Sequence, residues 1–423
     1  MADSPQTASA GATQPPYLKH VHLRNVPPLR DVTADFKPGL NVIIGKNGSG
    51  KTRAMKLIKE LVEMFEEKHS GVGSEIVIGG KEDVKISFKE QLVSKDSQRP
   101  FLSKAMVNQL ALIAVAVSLV INKTKIEENE VLEEAMYRVT KDHQLHFVVP
   151  IWHGIPTLPL IDTSADFSIT KAGSPTLMNT NLEWWKVDSQ LLSALFRTFD
   201  EIRWDEIIGT NSDADSQLHT ARQRISSAAD SHVARLNVYL PLYSPLEAVR
   251  RSDQFQVYYN SGNEEIIVKG LVLEYKIAGD WLPFSALSDG TKRLLFIIGE
   301  LTASFVAYWH GKDFQLNDEG FNKIILLEEP ELGIHPDQLQ LLLQLIREVS
   351  REHQVIMTTH SPQTLDILNR DELDRISICE YVPGKGTQMR QLSAAKQAKA
   401  RAYLRDEGFL SEFWRFSNLE DPD

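Results

Sequence analysis

The chain has 423 residues, 42% apolar and 24% charged, close to the average of soluble globular domains and long enough for one large or two ordinary cores. That balance excludes a collagen-like, disulfide-stapled or wholly disordered chain. The single cysteine, Cys379, excludes an internal disulfide or a Cys-rich zinc site and points to a reducing cytoplasm. With 46 basic and 57 acidic residues the formal charge is −11, which excludes an overall positive coat while leaving room for a local basic groove.

Residues 1–16 are rich in Ala, Ser, Thr, Gln and Pro and lack the basic and apolar regions of a signal peptide, so they read as a loose tail. Leu18–Val26 and Val32–Phe36 read as strands, followed by a Lys37-Pro38-Gly39 turn. Leu40–Ile44 is an apolar run of the kind buried on both faces of a parallel sheet. A helix pattern starts at Lys51 with Met55, Leu57, Ile58, Leu61, Val62 and Met64. Beyond Arg99 the text predicts helices over Phe101–Asn122 and Ile126–Thr140, a Trp/Pro/Thr-rich stretch from Val148 to Val187, and a polar helical region from Ser189 to Leu236 broken near Gly209. Strands are predicted at Asn237–Tyr243 and Ile266–Ile277, then alternating helix and strand from Asp280 to Arg390. A basic helix, Ser393 to Arg405, carries Lys396, Lys399, Arg401 and Arg405, and the chain finishes on an acidic tail. The most apolar stretch, Leu110–Ile121, is shorter than the about 20 residues a membrane span needs. It reads as core or as a partner-facing helix, with no membrane association.

The first chemical motif is Gly45-Lys46-Asn47-Gly48-Ser49-Gly50-Lys51-Thr52, a P-loop between an apolar strand and a helix. Glycines let successive backbone N–H groups converge on phosphate oxygens, and the helix N-terminus adds partial positive charge. Lys51 is expected on the β and γ phosphates of ATP, and the Thr52 hydroxyl on Mg²⁺. The second motif, Glu328-Glu329-Pro330-Glu331, follows the apolar Ile324–Leu327. Carboxylates leaving the C-terminal end of a buried parallel strand face the ligand crevice. Glu328 reads as a Mg²⁺-binding acid and Glu329 as the group that orients and deprotonates the attacking water. Two further motifs are the Leu287-Ser288-Asp289-Gly290-Thr291-Lys292 segment before an apolar helix and His360 after the apolar strand ending Met357-Thr358-Thr359. Alone, the first would be an ordinary helix cap and the second a structural histidine.

Taken in order, these motifs resemble those of ABC-type ATPases, over about Tyr17–Gln91 and Asp280–Ile378. Leu287–Thr291 is similar to the ABC signature and His360 to the switch histidine. Lys292 and the text from Glu328 to Pro336 resemble the branch that includes SMC, RecF and the overcoming-lysogenization (OLD) nucleases, with the stand-alone prokaryotic AAA-family ATPases of anti-phage systems such as Septu and PARIS. The resemblance implies an α/β P-loop head, a mixed sheet flanked by helices, formed by residues 17–98 and 237–392, with a mostly helical insertion at 99–236 and a C-terminal helix and tail at 393–423. It implies ATP and Mg²⁺ sandwiched between two heads, where Ser288 and Gly290 of one complete the γ-phosphate site on the P-loop of the other. A homodimer or higher homo-oligomer follows, with Lys51, Glu329 and His360 catalytic. The family's Q-loop glutamine, a Mg²⁺ ligand, has Gln91 as its candidate, with Gln98 behind it. Glu328 stands where an Asp is common, and Asp289 and Thr291 replace signature Gly and Gln, which implies slow or partner-regulated hydrolysis.

OLD nucleases carry a Toprim nuclease domain after the ATPase, and the stretch after Ser361 is too short to hold one. The expected function is therefore an ATP-hydrolysing control subunit of a prokaryotic anti-phage system with a separate effector, a nuclease or toxin. The alternative is a RecF-like or SMC-like DNA-repair ATPase that binds DNA through the Lys396–Arg405 helix, which otherwise reads as a solvated face. Trp184 and Trp185 are candidates for a partner contact or for core.

Overall fold

The computed structural model describes residues 17–63, 73–79, 83–92, 113–121, 124–125, 148–151, 165–170, 176–177, 214–251, 256–260, 262, 265–271, 273–302, 308–309, 312–313, 323–406, 408–417 and 419. The chain divides into two compact units. One comprises Met1–Val148, Asn322–Leu326 and Ser350–Asp423, the other Val149–Phe321 and Leu327–Val349.

The first unit opens with β1 (Tyr17–Val26), β2 (Leu29–Asp35), β3 (Leu40–Ile44) and α1 (Lys51–Glu63). Next come β4 (Glu75–Gly79), β5 (Val84–Leu92), β6 (Ile113–Ile121) and β7 (Thr124–Lys125). An antiparallel sheet has the order β2-β1-β4-β5-β6-β7. In β1 the residues Leu18, Val21, Leu23 and Val26 are buried. The odd spacing from Leu18 to Val21 is absorbed by a register shift between Leu18 and His20, since an extra residue in one strand restores its inward face.

The second unit holds most of β8 (Val148–Ile151), then β9 (Ala165–Thr170), β10 (Thr176–Leu177) and the long α2 (Ala214–Tyr243). It continues through β11 (Ala248–Arg251), β12 (Gln256–Asn260), β13 (Glu265–Leu271), β14 (Leu273–Ile277) and β15 (Asp280–Pro283) to α3 (Asp289–Thr302). These strands form the sheets β10-β9-β13-β12 and β11-β14-β15, and a small β16-β17 ribbon (Tyr308–Trp309, Lys312–Asp313) follows α3. The end of β18 (Ile324–Glu328) and α4 (Pro336–Val349) complete the unit.

Back in the first unit, β19 (Gln354–Thr359), β20 (Ile376–Val382) and β21 (Gly386–Gln391) precede α5 (Ala394–Arg405) and α6 (Leu410–Ser417). Here β3 lies between β19 and β20, parallel to both, and β21 pairs antiparallel to β20. Every residue of β3, β18 and β19 is buried, which is why these strands read as mostly apolar runs rather than as alternations of apolar and polar residues. Buried Gln354 joins the two sheets of this unit. Its amide accepts from the Leu18 N–H at 2.8 Å and donates to the Leu18 carbonyl at 2.9 Å and that of Lys37 at 3.1 Å.

Two elements differ from the sequence reading. Within the apolar run expected as a helix, residues Ile113–Ile121 form strand β6, paired residue for residue with β5 from Val84↔Ile121 to Leu92↔Ile113. Five β-branched residues, Ile113, Val115, Val117, Val120 and Ile121, favour an extended chain, and short apolar runs carry no period that separates the two states. The expected strand Asn237–Tyr243 is instead the end of α2. Val233, Leu236, Leu240 and Tyr243 are buried there, the spacing of a helical face, although Pro241 lies within the last turn. Strands β6 to β10 also fall inside residues 99–236, so among the described residues that segment holds strands as well as the start of α2. The expected helices at 126–140 and 189–213, Trp184, Trp185, Gln98 and the 1–16 and 420–423 tails lie outside the described residues. Among the described residues no helix is long and apolar enough to cross a membrane.

Candidate nucleotide-binding site

In the first unit, β3 delivers the chain into the 45–52 loop and α1 begins at Lys51. Lys46, Asn47 and Gly48 are exposed, while Ser49 and Lys51 are buried. The Lys51 ammonium folds back and donates to the carbonyls of Gly45 at 2.7 Å and Lys46 at 3.2 Å. The loop closes through a Ser49 N–H bond to the Lys46 carbonyl at 3.2 Å. Gly50 has φ +104°, and a Cβ there would meet Thr387 Oγ1 at 2.3 Å, so only glycine fits the position. The hydroxyl of Thr387, on β21 and fully buried, donates to the Ser49 carbonyl at 2.8 Å. Cys379 on β20 contacts the same carbonyl through Sγ at 3.6 Å. Burial, opposed by that contact and by Lys51, pushes its thiol pKa up to about 11, so it stays protonated and is no nucleophile. The β20–β21 hairpin is thus the floor of the loop.

This loop fits a polyphosphate. It contains no acid, it ends at a helix N-terminus whose first N–H groups have no intrahelical partner, and Ser49 Oγ is buried with no hydrogen-bond partner among the described residues. Thr52, the second residue of α1, is half-buried beside it. His360 follows β19 directly, and Thr359 is paired with Ile44 in parallel register, so the backbones of His360 and Gly45 leave neighbouring strands at the same edge. Gln91 lies within β5, its backbone opposite Ala114, rather than in a loop.

In the second unit, Ser288 caps α3. Its hydroxyl accepts from the Thr291 N–H at 3.2 Å and lies 2.8 Å from Thr291 Oγ1, while Asp289 is exposed with its carboxylate 3.8 Å from Lys292 Nζ. Gly290 lies against the turn after β18: a Cβ there would come within 2.5 Å of the Gly333 carbonyl oxygen. Glu328 is 1% exposed, whereas Glu329 is partly exposed and holds φ +42°, a left-handed conformation rare for a side-chain-bearing residue. Buried Arg293, one turn into α3, donates through Nη2 to the carbonyls of Glu328 at 3.1 Å and Glu329 at 2.6 Å. Burial pulls its pKa down, opposed by the charges of Glu331, Glu328 and Glu329; a guanidinium stays protonated regardless.

Ser288, Gly290, Glu328 and Glu329 are therefore gathered around one helix start. Sequence reading missed Arg293, Thr387 and Cys379. Arg293 stands beside Lys292 just before the apolar run of α3, and nothing in that pattern separates its role from its neighbour's; Cys379 stands out only as the single cysteine, and Thr387 not at all. The basic helix is α5. Lys396 donates to the Leu419 carbonyl at 3.1 Å, and Arg401 to the Gln397 side chain at 3.1 Å and the Arg370 carbonyl at 3.4 Å, so two of the four expected DNA-facing cations are engaged within the fold.

Two family models match the sequence. One, described as "AAA domain, putative AbiEii toxin, Type IV TA system", covers residues 184–366, and the other, "AAA domain", covers residues 20–91. The second contains the P-loop and the first contains Ser288, Glu328, Glu329 and His360. Septu protein PtuA of Bacillus thuringiensis is 22% identical over 369 residues, covering 86% of this chain and 76% of that protein. The "Retron Vc95 probable ATPase" of Vibrio cholerae serotype O1 biovar El Tor is 27% identical over 95 residues, 22% of this chain and 18% of that protein. A crystal structure of the Smc head domain from Pyrococcus furiosus, bound to the C-terminal domain of ScpA, superposes with a TM-score of 0.47 at 14% identity, over 92% of this chain and 100% of that one. The chain is mixed α/β with a P-loop between strand and helix, matches AAA-domain models over these two segments, and resembles the ATPases of anti-phage systems.

Proposed function

We propose that this protein binds and hydrolyses ATP as the control subunit of an anti-phage system whose effector is a separate protein, a nuclease or toxin. The observation that carries the ATP reading is the 45–52 loop: an acid-free cradle before a helix start, with Lys51 pinned to its carbonyls and a buried Ser49 hydroxyl that has no partner among the described residues. The defence role rests on the similarity to Septu protein PtuA along most of both chains.

In this reading the backbone of Gly45, Lys46, Asn47, Gly48, Ser49 and Gly50 and the Lys51 ammonium bind the phosphates. Thr52 and Glu328, with Gln91 as a further candidate, hold Mg²⁺, which when bound neutralises charge on the phosphates. Glu329 orients and deprotonates the attacking water, and His360 contacts the γ-phosphate. Ser288 and Gly290 serve the nucleotide of a second copy, so the working form is a homodimer or larger homo-oligomer. Hydrolysis changes that assembly and with it the effector it restrains.

The test compares wild type with Lys51→Ala and Glu329→Gln. Lys51→Ala should lose ATP binding. Glu329→Gln should bind ATP with turnover reduced about 100-fold or more, the usual range for a general base, and both variants should abolish phage protection by the protein with its gene neighbour. Unchanged turnover in Glu329→Gln would remove that residue from the chemistry. Full protection by Lys51→Ala would separate defence from ATP.

A further inference from the structure

We propose that Arg293 is a positioning residue for hydrolysis: its guanidinium fixes the backbone of Glu328 and Glu329, presenting the Glu329 carboxylate to water and tying that presentation to the first turn of α3. The inference rests on the ATPase reading above and adds how its catalytic carboxylate is set.

Three observations converge on it. Nη2 of Arg293 donates to the carbonyls of two consecutive residues, Glu328 and Glu329. A planar guanidinium can do this from a fixed direction, whereas a flexible ammonium cannot hold both so rigidly. Glu329 has φ +42°, and a non-glycine residue stays in that region only where its surroundings hold it there. The 2.6 Å bond falls on the carbonyl of that same residue. The third is Gly290, which abuts the Gly333 carbonyl so closely that no side chain could intervene. The Glu329–Ile334 segment is a pair of tight turns, Leu332 N–H to the Glu329 carbonyl and Ile334 N–H to the Glu331 carbonyl, both 3.2 Å. The start of α3 therefore grips this segment at both ends, through Arg293 at Glu329 and Gly290 at Gly333.

A consequence concerns regulation. If Ser288 and Gly290 engage nucleotide held by a second copy, any shift of this helix start is passed through Arg293 to the backbone that carries Glu329. Each head would then be switched on by the nucleotide of its neighbour. A buried arginine serving only to fill space would affect folding and leave the hydrolytic step untouched.

The test measures kcat, KM, ATP dissociation constant and thermal midpoint for Arg293→Gln and Arg293→Lys. The expected result is a kcat lowered between about ten- and 100-fold in Arg293→Gln, the range in which small misplacements of a catalytic group act, with ATP affinity changed less than about two-fold. Arg293→Lys should be intermediate, because an ammonium can still reach one carbonyl. If Arg293→Gln fails to fold, the same split in Arg293→Lys, lower kcat at unchanged KM, decides the matter. Folded variants with wild-type kcat, or with raised KM at unchanged kcat, would overturn the inference. Loss of turnover in Glu329→Gln alongside intact kcat in both Arg293 variants refutes only this proposal; retained turnover in Glu329→Gln refutes the reading beneath it.

Discussion

Thr387 shows how a single side chain can hold a phosphate cradle without touching phosphate. Its hydroxyl meets the Ser49 carbonyl at 2.8 Å, and its methyl and hydroxyl fill the space that a side chain at residue 50 would need. Thr387→Val preserves the shape and removes the bond, so it should cost about 1–2 kcal/mol of stability and weaken ATP binding about three-fold; denaturant melts and ATP titration check both. His353 gives a pH signature. Burial first, then the charge of Lys323, push its pKa down to about 4, against about 6.5 in an unfolded chain. Between those values the unfolded chain binds the extra proton, so this contribution is full above about pH 6.5 and lost as pH falls toward 4. His353→Gln should flatten that part of the stability profile, by an amount of order 2 kcal/mol given the ring's partial exposure; parallel pH-dependent melts of both proteins measure it. At this scale the P-loop and Glu328-Glu329 are legible because their chemistry is written in consecutive letters. Arg293 and Thr387 are not, because their partners are backbone carbonyls distant in sequence, and a carbonyl has no letter.

Among the elements, the strands that emit site residues are the most legible. β3 and β18 are buried on both faces, and a mostly apolar run that stops at glycines or carboxylates is the pattern of a buried strand opening onto a site. β6 is harder to read because Ala and Val alternate in a run that suits a helix or a strand, and its pairing with β5 along the whole strand settles the choice. At residues 237–243 the local preference of Val238 and Tyr239 for strand yields to the buried stripe of α2. Asn237, within that stretch, links α2 to the edge of β11: its amide donates to the Val249 carbonyl at 2.9 Å and accepts the Val249 N–H at 2.7 Å. Val249 is buried, so Asn237→Ala would leave both backbone groups without these partners. The expected cost is about 2–3 kcal/mol, read as a lowered denaturant midpoint; a change under about 0.5 kcal/mol would mean that water replaces the amide.

For the whole molecule, the proposed function turns on an ATP-gated assembly of at least two copies. Ser288 is compatible with it: the residue is exposed at a helix start, where its hydroxyl meets the N–H and Oγ1 of Thr291, and in the proposed reading that exposed hydroxyl turns to nucleotide on another chain. The sequence order of P-loop, signature, paired carboxylates and histidine announces the fold class, whereas residues Ile113–Ile121 read as helix and form a strand, because a short apolar run lacks a distinguishing period. The decisive experiment is the mass of Glu329→Gln by light scattering, with and without ATP and Mg²⁺. At least a doubling of mass with ATP is expected, reversed by adding Ser288→Arg, which blocks the trans contact. A mass unchanged by ATP, in a variant shown to bind it, would contradict the ATP-gated assembly.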